Sequence, residues 1–286
     1  MKYGFIIPHG DVHTITELAE RVEAAGWDAV FIPDSISIET EQYPASEGFD
    51  PWIVLAVIAD RTQRIRLGTM VTPLSRRRPW KIARETVTLD HLSKGRLILP
   101  VGLGAARDDA GFHKVGEAMD SKTRAKLLDE SLEIITGLWS GKPVYYEGEH
   151  YHIQGMTLLP SPVQSPRIPI WVVGAWPRIK SMQRTLRYDG LLPNKLDANG
   201  KFEEITPDDI RAMKKYVEEH RSSTTPFDIV WEGRTPGEDL EKSVAIVRRW
   251  EEAGINWWME AMWESDVTRE DVRRRIEQGP PRDRRA

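Results

Sequence analysis

Short apolar runs alternate along this chain with longer stretches in which apolar residues recur at helical spacing, and Ile65 to Gly104 shows the alternation best. IRLGTMV reads as a strand, RRRPWKIARETVTLDHLSKG as a helix, and RLILPVGLG as a second strand. Pro79 suits a first helical turn, where its missing N–H costs nothing, and Ile82, Val87, Leu89 and Leu92 supply the apolar stripe. Gly95 permits the turn into the next strand. Strands joined through a helix run parallel, and a parallel pair needs helices on both faces or a closed barrel with helices outside. In either case ligands bind at the carboxyl ends of the strands.

The same unit repeats on both sides of this stretch. Tyr3 to Pro8 is a strand, Thr14 to Ala25 a helix stopped by Gly26, with Glu17 placed for a capping box, and Asp28 to Pro33 the second strand. Asp50 and Pro51 open the next helix after the long, aperiodic SISIETEQYPASEGF. A second such loop, AARDDAGFHKVGEAMD, precedes a helix from Ser121 whose Ala125, Leu128, Leu132 and Ile135 keep the helical period. PVYYEGEHYHIQG alternates around Glu147-Gly148-Glu149 as a hairpin, and a proline-rich connector follows through Pro169. Ile168 to Gly174, Leu191 to Asn194, Phe227 to Trp231 and Ile255 to Ala261 are the remaining strands, each followed by a helical stretch. Eight strand–helix units predict an α/β fold, a (β/α)8 TIM barrel with a β-hairpin insertion before strand 5. At 286 residues the chain fits one such domain over 1–286, since barrels of this kind take roughly 250 residues.

Composition narrows the function. A net charge of −4 argues against a nucleic-acid partner, and the basic end RRRIEQGPPRDRRA reads as a frayed terminus. No apolar run approaches the span of a bilayer and the start has no cleavable-signal pattern, so no membrane partner is expected and a cytoplasmic location is the default. With no cysteine there is no disulfide, thiolate site or thiol nucleophile. His113, His150 and His152 lack metal-motif spacing, and no metal is expected.

IRLGTMVTP followed by RRRPWKIARETVTLDHLSKGRLILPVGLG resembles the bacterial luciferase-like monooxygenase superfamily and its deazaflavin-dependent relatives. The resemblance runs over nearly the whole chain, with Ile168 to Asn194 the other specific stretch. It implies a barrel holding FMN or the deazaflavin F420. Thr69, Met70 and Val71 then become the floor under the ring system, with an implied cis peptide between Met70 and Val71; the alternative is an ordinary trans strand with Met70 in the core. Gly102 and Gly104 let backbone approach a flat ring, or serve only as turn residues. GLGAAR is not a Rossmann fingerprint, because Arg107 stands where the third glycine belongs; Arg107 reaches either an anionic ligand or a surface partner.

In VVGAWPR, Gly174 and Ala175 precede a proline-started helix, whose free N–H groups would face an anion, with Arg178 adding a charged fork. The superfamily has two glycines and a small hydroxylic residue here, so Gly174-Ala175-Trp176 loses a hydroxyl and Trp176 becomes a wall or stacking group; the alternative is a simple tight turn. Trp231 and Trp263, also at strand ends, are candidates for an apolar pocket, and Arg76 to Arg78 read as a solvated loop.

Deazaflavin-dependent dehydrogenases of the superfamily place Asp-His where Asp34-Ser35 stands, and the sugar-phosphate enzymes place Glu where Ala105 stands. The missing proton-transfer pair favours a reduced-FMN monooxygenase over an F420 hydride-transfer enzyme. Asp34 either positions substrate or closes an Asx turn, and His9, at the end of the first strand, either serves the flavin or is a loop histidine. Glu232 and Glu260 also follow strands, yet no general acid or base stands out, which keeps a non-catalytic flavin-binding barrel open. The expected partners are a small-molecule substrate, a separate flavin reductase if FMN is used, and, from the resemblance, a second copy in a homodimer.

Overall fold

The computed structural model describes residues 1–36, 48–104, 111–264 and 266–282. The apolar runs form β1 (Lys2–Ile6), β2 (Ala29–Ile32), β3 (Arg66–Thr69), β4 (Thr72–Pro73), β5 (Leu99–Gly102), β6 (Val144–Glu147), β7 (His152–Met156), β8 (Ile170–Trp176), β9 (Gly190–Lys195), β10 (Asp228–Gly233) and β11 (Trp257–Glu260). The amphipathic stretches form α1 (Val12–Ala24), α2 (Pro51–Arg61), α3 (Pro79–Leu92), α4 (Ser121–Trp139), α5 (Ile179–Thr185), α6 (Pro207–His220), α7 (Leu240–Ala253) and α8 (Arg269–Glu277).

Nine strands make one parallel sheet in the order β3-β2-β1-β11-β10-β9-β8-β5-β4. β3 and β4 are two halves of one stave: β3 pairs with β2 and β4 with β5. Between them the Met70–Val71 peptide is cis, in agreement with the implied break. Leu67 bridges Leu97 at the head of β5, so the two edges of the sheet meet and the barrel closes with eight staves. Closure leaves each strand an inward and an outward face. Phe31, Trp171 and Trp257 fill the interior, with ring centroids 5.6 and 5.1 Å apart, whereas the larger core lies between the strands and the helices.

The hairpin β6–β7 is antiparallel and stands outside the barrel. Glu130 on α4 holds its turn by accepting from the backbone N–H groups of Glu149, His150 and Tyr151 at 3.0 to 3.2 Å. Two expectations are corrected at the ends of the chain. Helix α1 is capped by Asp11, which accepts from Thr14 N at 3.0 Å, because Asp11 lies one turn nearer the strand than the Thr14–Glu17 box. The basic tail packs back through Arg282: Trp27 Nε1 donates to the Ile276 carbonyl and Arg282 reaches Asp28 at 2.8 Å. Its last residues lie outside the described ones. No helix among the described residues is long and apolar enough to cross a membrane.

Candidate functional site

At the carboxyl mouth of the barrel, two cavities of about 740 and 530 Å³ share Met70, Val71, Val173 and Asn194 as a common wall. The break in the third stave builds that wall. Thr69 and Thr72 are fully buried and their hydroxyls meet at 2.5 Å, so they satisfy one another below the mouth while Met70 and Val71 face into it. Thr69 is thus a support and lines neither cavity. Beside it β5 ends without side chains: a methyl added at Gly102 would lie 3.0 Å from Val173 and 3.3 Å from Val71. Gly104, at φ +87°, has its missing methyl direction 2.7 Å from the Phe112 ring. The floor of the larger cavity is therefore apolar side chain and bare backbone.

Its rim is cationic. Arg124 on α4 and Lys180 on α5 line it together with Arg178 and Arg184. Burial lowers the Arg124 guanidinium from its ordinary value, and its ring neighbour is Phe112 at 5.4 Å. Arg184 is committed to Asp129 by bonds of 2.5 and 2.8 Å, and Arg178 donates to the carbonyls of Asp197 and Ala198.

The helix entrance expected to grip a phosphate at VVGAWPR is not formed at Gly174 and Ala175. β8 runs on through Trp176, the Trp176–Pro177 bond is cis, and α5 starts only at Ile179, so Gly174 and Ala175 are strand residues and not a helix entrance. Strand alternation sets their directions. A side chain at Gly174 would collide with Leu191 of β9 and press on Met182 of α5, while Ala175 lines the cavity. The Ala175 N–H is already given to Ser181 Oγ at 2.9 Å. Trp176 faces outward, edge-on to Tyr216 of α6 at 5.9 Å, and walls nothing in the mouth, whereas Trp231, whose ring stacks on Trp250 at 4.2 Å, lines the 530 Å³ cavity together with Trp263.

Asp34 lines the larger cavity and also a third one of about 450 Å³ that holds His9. Arg76 and Arg77, read from the sequence as solvated, converge on Asp34 Oδ1 at 2.5 and 2.8 Å because the turn after β4 folds over the end of β2. Asp34 Oδ2 is buried and has no hydrogen-bond partner among the described residues. Burial, and secondarily the charge of Arg269, lower His9 and favour its neutral imidazole, but the third cavity separates it from the bare floor. Arg107 and Ala105 lie outside the described residues.

One residue gains weight only in three dimensions. Glu232, near the end of β10, lines the 530 Å³ cavity with Val230 two positions earlier, and Trp263 Nε1 donates to its Oε2 at 3.2 Å. Burial raises its carboxyl above the ordinary glutamate range, against the opposing pull of the Trp263 N–H. The inward register of Val230 was the sequence signal that carried it.

A family model described as luciferase-like monooxygenase matches residues 3–235. Among curated proteins the chain is 32% identical over 172 residues to an F420-dependent glucose-6-phosphate dehydrogenase of Gordonia bronchialis, covering 58% of this chain and 48% of that protein. It is 29% identical over 240 residues to the enzyme of the same name from Nakamurella multipartita, covering 82% and 67%. The match thus spans about half the length of the first of these relatives (48%). Among solved structures, an F420-dependent secondary alcohol dehydrogenase in complex with an F420-acetone adduct superposes with a TM-score of 0.75 at 18% identity, covering 96% and 97% of the two chains. A monooxygenase from Streptomyces bottropensis superposes with a TM-score of 0.71 at 19% identity, covering 97% of each. At these identities the two superpositions speak for the barrel fold.

Proposed function

The chain belongs to the luciferase-like monooxygenase family, and from that premise we propose that it is an F420-dependent oxidoreductase acting on a small organic substrate. The observation that carries this reading is the 740 Å³ cavity, whose floor is bare and apolar at Val71, Gly102 and Val173 and whose rim is cationic at Arg124, Lys180 and Arg178. A flat ring fits the first end and an anionic tail the second. Backbone without side chains at Gly102 and Gly104 along the cavity, and a buried Asp34 Oδ2 with no hydrogen-bond partner among the described residues, both fit a planar polar ring system.

When bound, the deazaflavin accepts or supplies a hydride. Val71, Gly102 and Gly104 would support the ring by close backbone approach, and Arg124 and Lys180 would hold the tail by charge. Asp34, fixed by Arg76 and Arg77, would present its remaining oxygen to a ring or substrate N–H or O–H. Met70 and Val173, which line both cavities, would shield a substrate resting beside the ring from water.

The curated relatives support F420 by name, but glucose 6-phosphate oxidation is not carried over, since Ser35 and Ala105 stand at the positions of the proton-transfer pair. That absence was also the reason to prefer FMN, and Glu232 supplies a carboxyl from another strand. The FMN monooxygenase reading retains one observation in its favour, the apolar walls that suit chemistry requiring little water.

Equilibrium titration with F420 and with FMN, followed by anaerobic turnover of the reduced cofactor, tests the choice. Retention of F420 with oxygen-independent consumption of its reduced form is expected. Selective FMN binding with oxygen uptake by the reduced flavin would replace this reading by the monooxygenase, and retention of neither would remove both.

A further inference from the structure

We propose that Glu232 is the proton donor of this site and that the 530 Å³ cavity receives an uncharged carbonyl compound for reduction. The proposal rests on the F420 reading for its hydride source.

Position comes first. Glu232 lines the 530 Å³ cavity together with Met70, Val71 and Val173, the residues it shares with the larger cavity, so a molecule held there is bounded both by the shared residues and by this carboxyl. Val230 below it belongs to the barrel interior, and the cavity's remaining surfaces include Leu192 and Ile205.

The charges around it come next. Glu232 takes part in no ion pair among the described residues; its one hydrogen bond comes from the neutral Trp263 indole. The nearest basic group on its own strand, Arg234, is occupied by Glu264 at 2.8 Å, and Lys195 of β9 by Asp209 at 3.1 Å. Glu203 and Glu204 line the same cavity from the segment after β9, and Glu203 is paired with Lys195 at 3.7 Å. Glu260 of β11 is engaged by Arg275 at 3.1 Å. Burial without a cation favours the neutral acid, a form that donates a proton.

The same lining selects the substrate. No lysine, arginine or histidine lines this cavity among the described residues, whereas Glu203 and Glu204 do, so a phosphorylated substrate would meet no cation in the lining. An uncharged carbonyl compound meets apolar walls and one O–H donor. In the reduction, a hydride from the reduced deazaflavin forms the new C–H bond, the C=O π pair moves onto oxygen, and oxygen takes the Glu232 proton. The resulting carboxylate regains a proton from solvent, leaving an alcohol and the oxidised deazaflavin.

The test has two arms on the full chain. Infrared titration of wild type and Glu232→Gln without cofactor should show a protonated-carboxyl band in wild type that persists above the ordinary glutamate range and is missing from the variant. With reduced F420 and the probes cyclohexanone, acetone and benzaldehyde, Glu232→Gln should lower kcat about 100-fold and remove the alkaline limb of the pH profile. F420 affinity and KM should change by less than about 2-fold, because the amide is isosteric and still accepts from Trp263. Glu232→Asp should recover part of kcat, and glucose 6-phosphate should not be turned over.

The absence of the infrared difference, an unchanged kcat and pH profile in Glu232→Gln, turnover of glucose 6-phosphate, or inertness of all three carbonyl probes with F420-loaded wild type would each overturn the proposal. If wild type binds no F420, the reading above fails by itself, and the infrared arm still decides whether Glu232 is held as the acid.

Discussion

Arg76 places Nη2 2.5 Å from Asp34 Oδ1 across 42 positions of sequence, tying the turn after β4 to the end of β2 at the edge of the larger cavity. Arg77 joins the same oxygen at 2.8 Å, and the Asp34 side chain is only 1% exposed. An acid shared by two largely buried guanidiniums holds both in place.

Asp34→Ala should therefore lower stability by about 3–5 kcal/mol, the usual effect of stripping the partner from buried charges. The urea midpoint reads this directly. F420 affinity should fall with it, whereas a variant with the wild-type midpoint would mean that Arg76 and Arg77 find water or other acceptors.

Glu260 ends β11, where a catalytic carboxylate was a reasonable expectation, yet it is fully buried on the helix side of the strand. It accepts from Arg275 Nε at 3.1 Å, Thr235 N at 2.7 Å and Trp258 Nε1 at 3.0 Å, and so fastens α8 and the end of β10 to the barrel. Glu260→Gln should cost about 3–5 kcal/mol by leaving Arg275 without its counter-charge. At a temperature where the variant is folded, cofactor affinity should match wild type; a selective loss of binding would assign Glu260 to the site instead.

Glu232 also makes stability depend on pH. Its folded value is raised above the unfolded one, so its contribution is complete below the unfolded value and is lost as pH rises through the folded value. Wild type should lose stability relative to Glu232→Gln as pH rises above the ordinary glutamate range, and the two urea midpoints should draw together on acidification. A difference of the opposite slope would show that the carboxylate is the favoured form.

Gly104 and Gly26 share φ +87°, but a methyl at Gly104 meets Phe112 at 2.7 Å and one at Gly26 meets nothing within 4 Å. Gly26→Ala should cost only the left-handed backbone penalty, about 1–2 kcal/mol. Gly104→Ala should cost more and weaken F420 binding. Equal melting temperatures for the two variants would show that Phe112 yields freely and that the bare shelf is not tightly packed.

Much of the frame was legible in order. Pro79, Gly95 and the apolar run to Gly102 read correctly as helix start, turn and strand, because each element must repeat its buried face at its own period. The carboxyl-end rule likewise pointed to Met70, Val71, Gly102 and Ala175, and all four line the larger cavity. It was less informative about direction. Thr69 and Trp176 also stand near strand ends, yet one is buried against Thr72 and the other lies against Tyr216.

The order of strands and helices, and the end of the barrel at which chemistry must gather, follow from the sequence alone, since periodicity and parallel connection are local properties of the chain. Which strand-end side chains enter the mouth, and which distant charges neutralise them, belongs to the closed barrel. Inward and outward exchange with a shift of one residue in a strand, and partners such as Arg76 for Asp34, or Arg275 for Glu260, meet only when the staves and helices are in place. The upward shift of the Glu232 carboxyl has the same origin: the fold removes it from water and gives it, among the described residues, a neutral indole and no cation as partner.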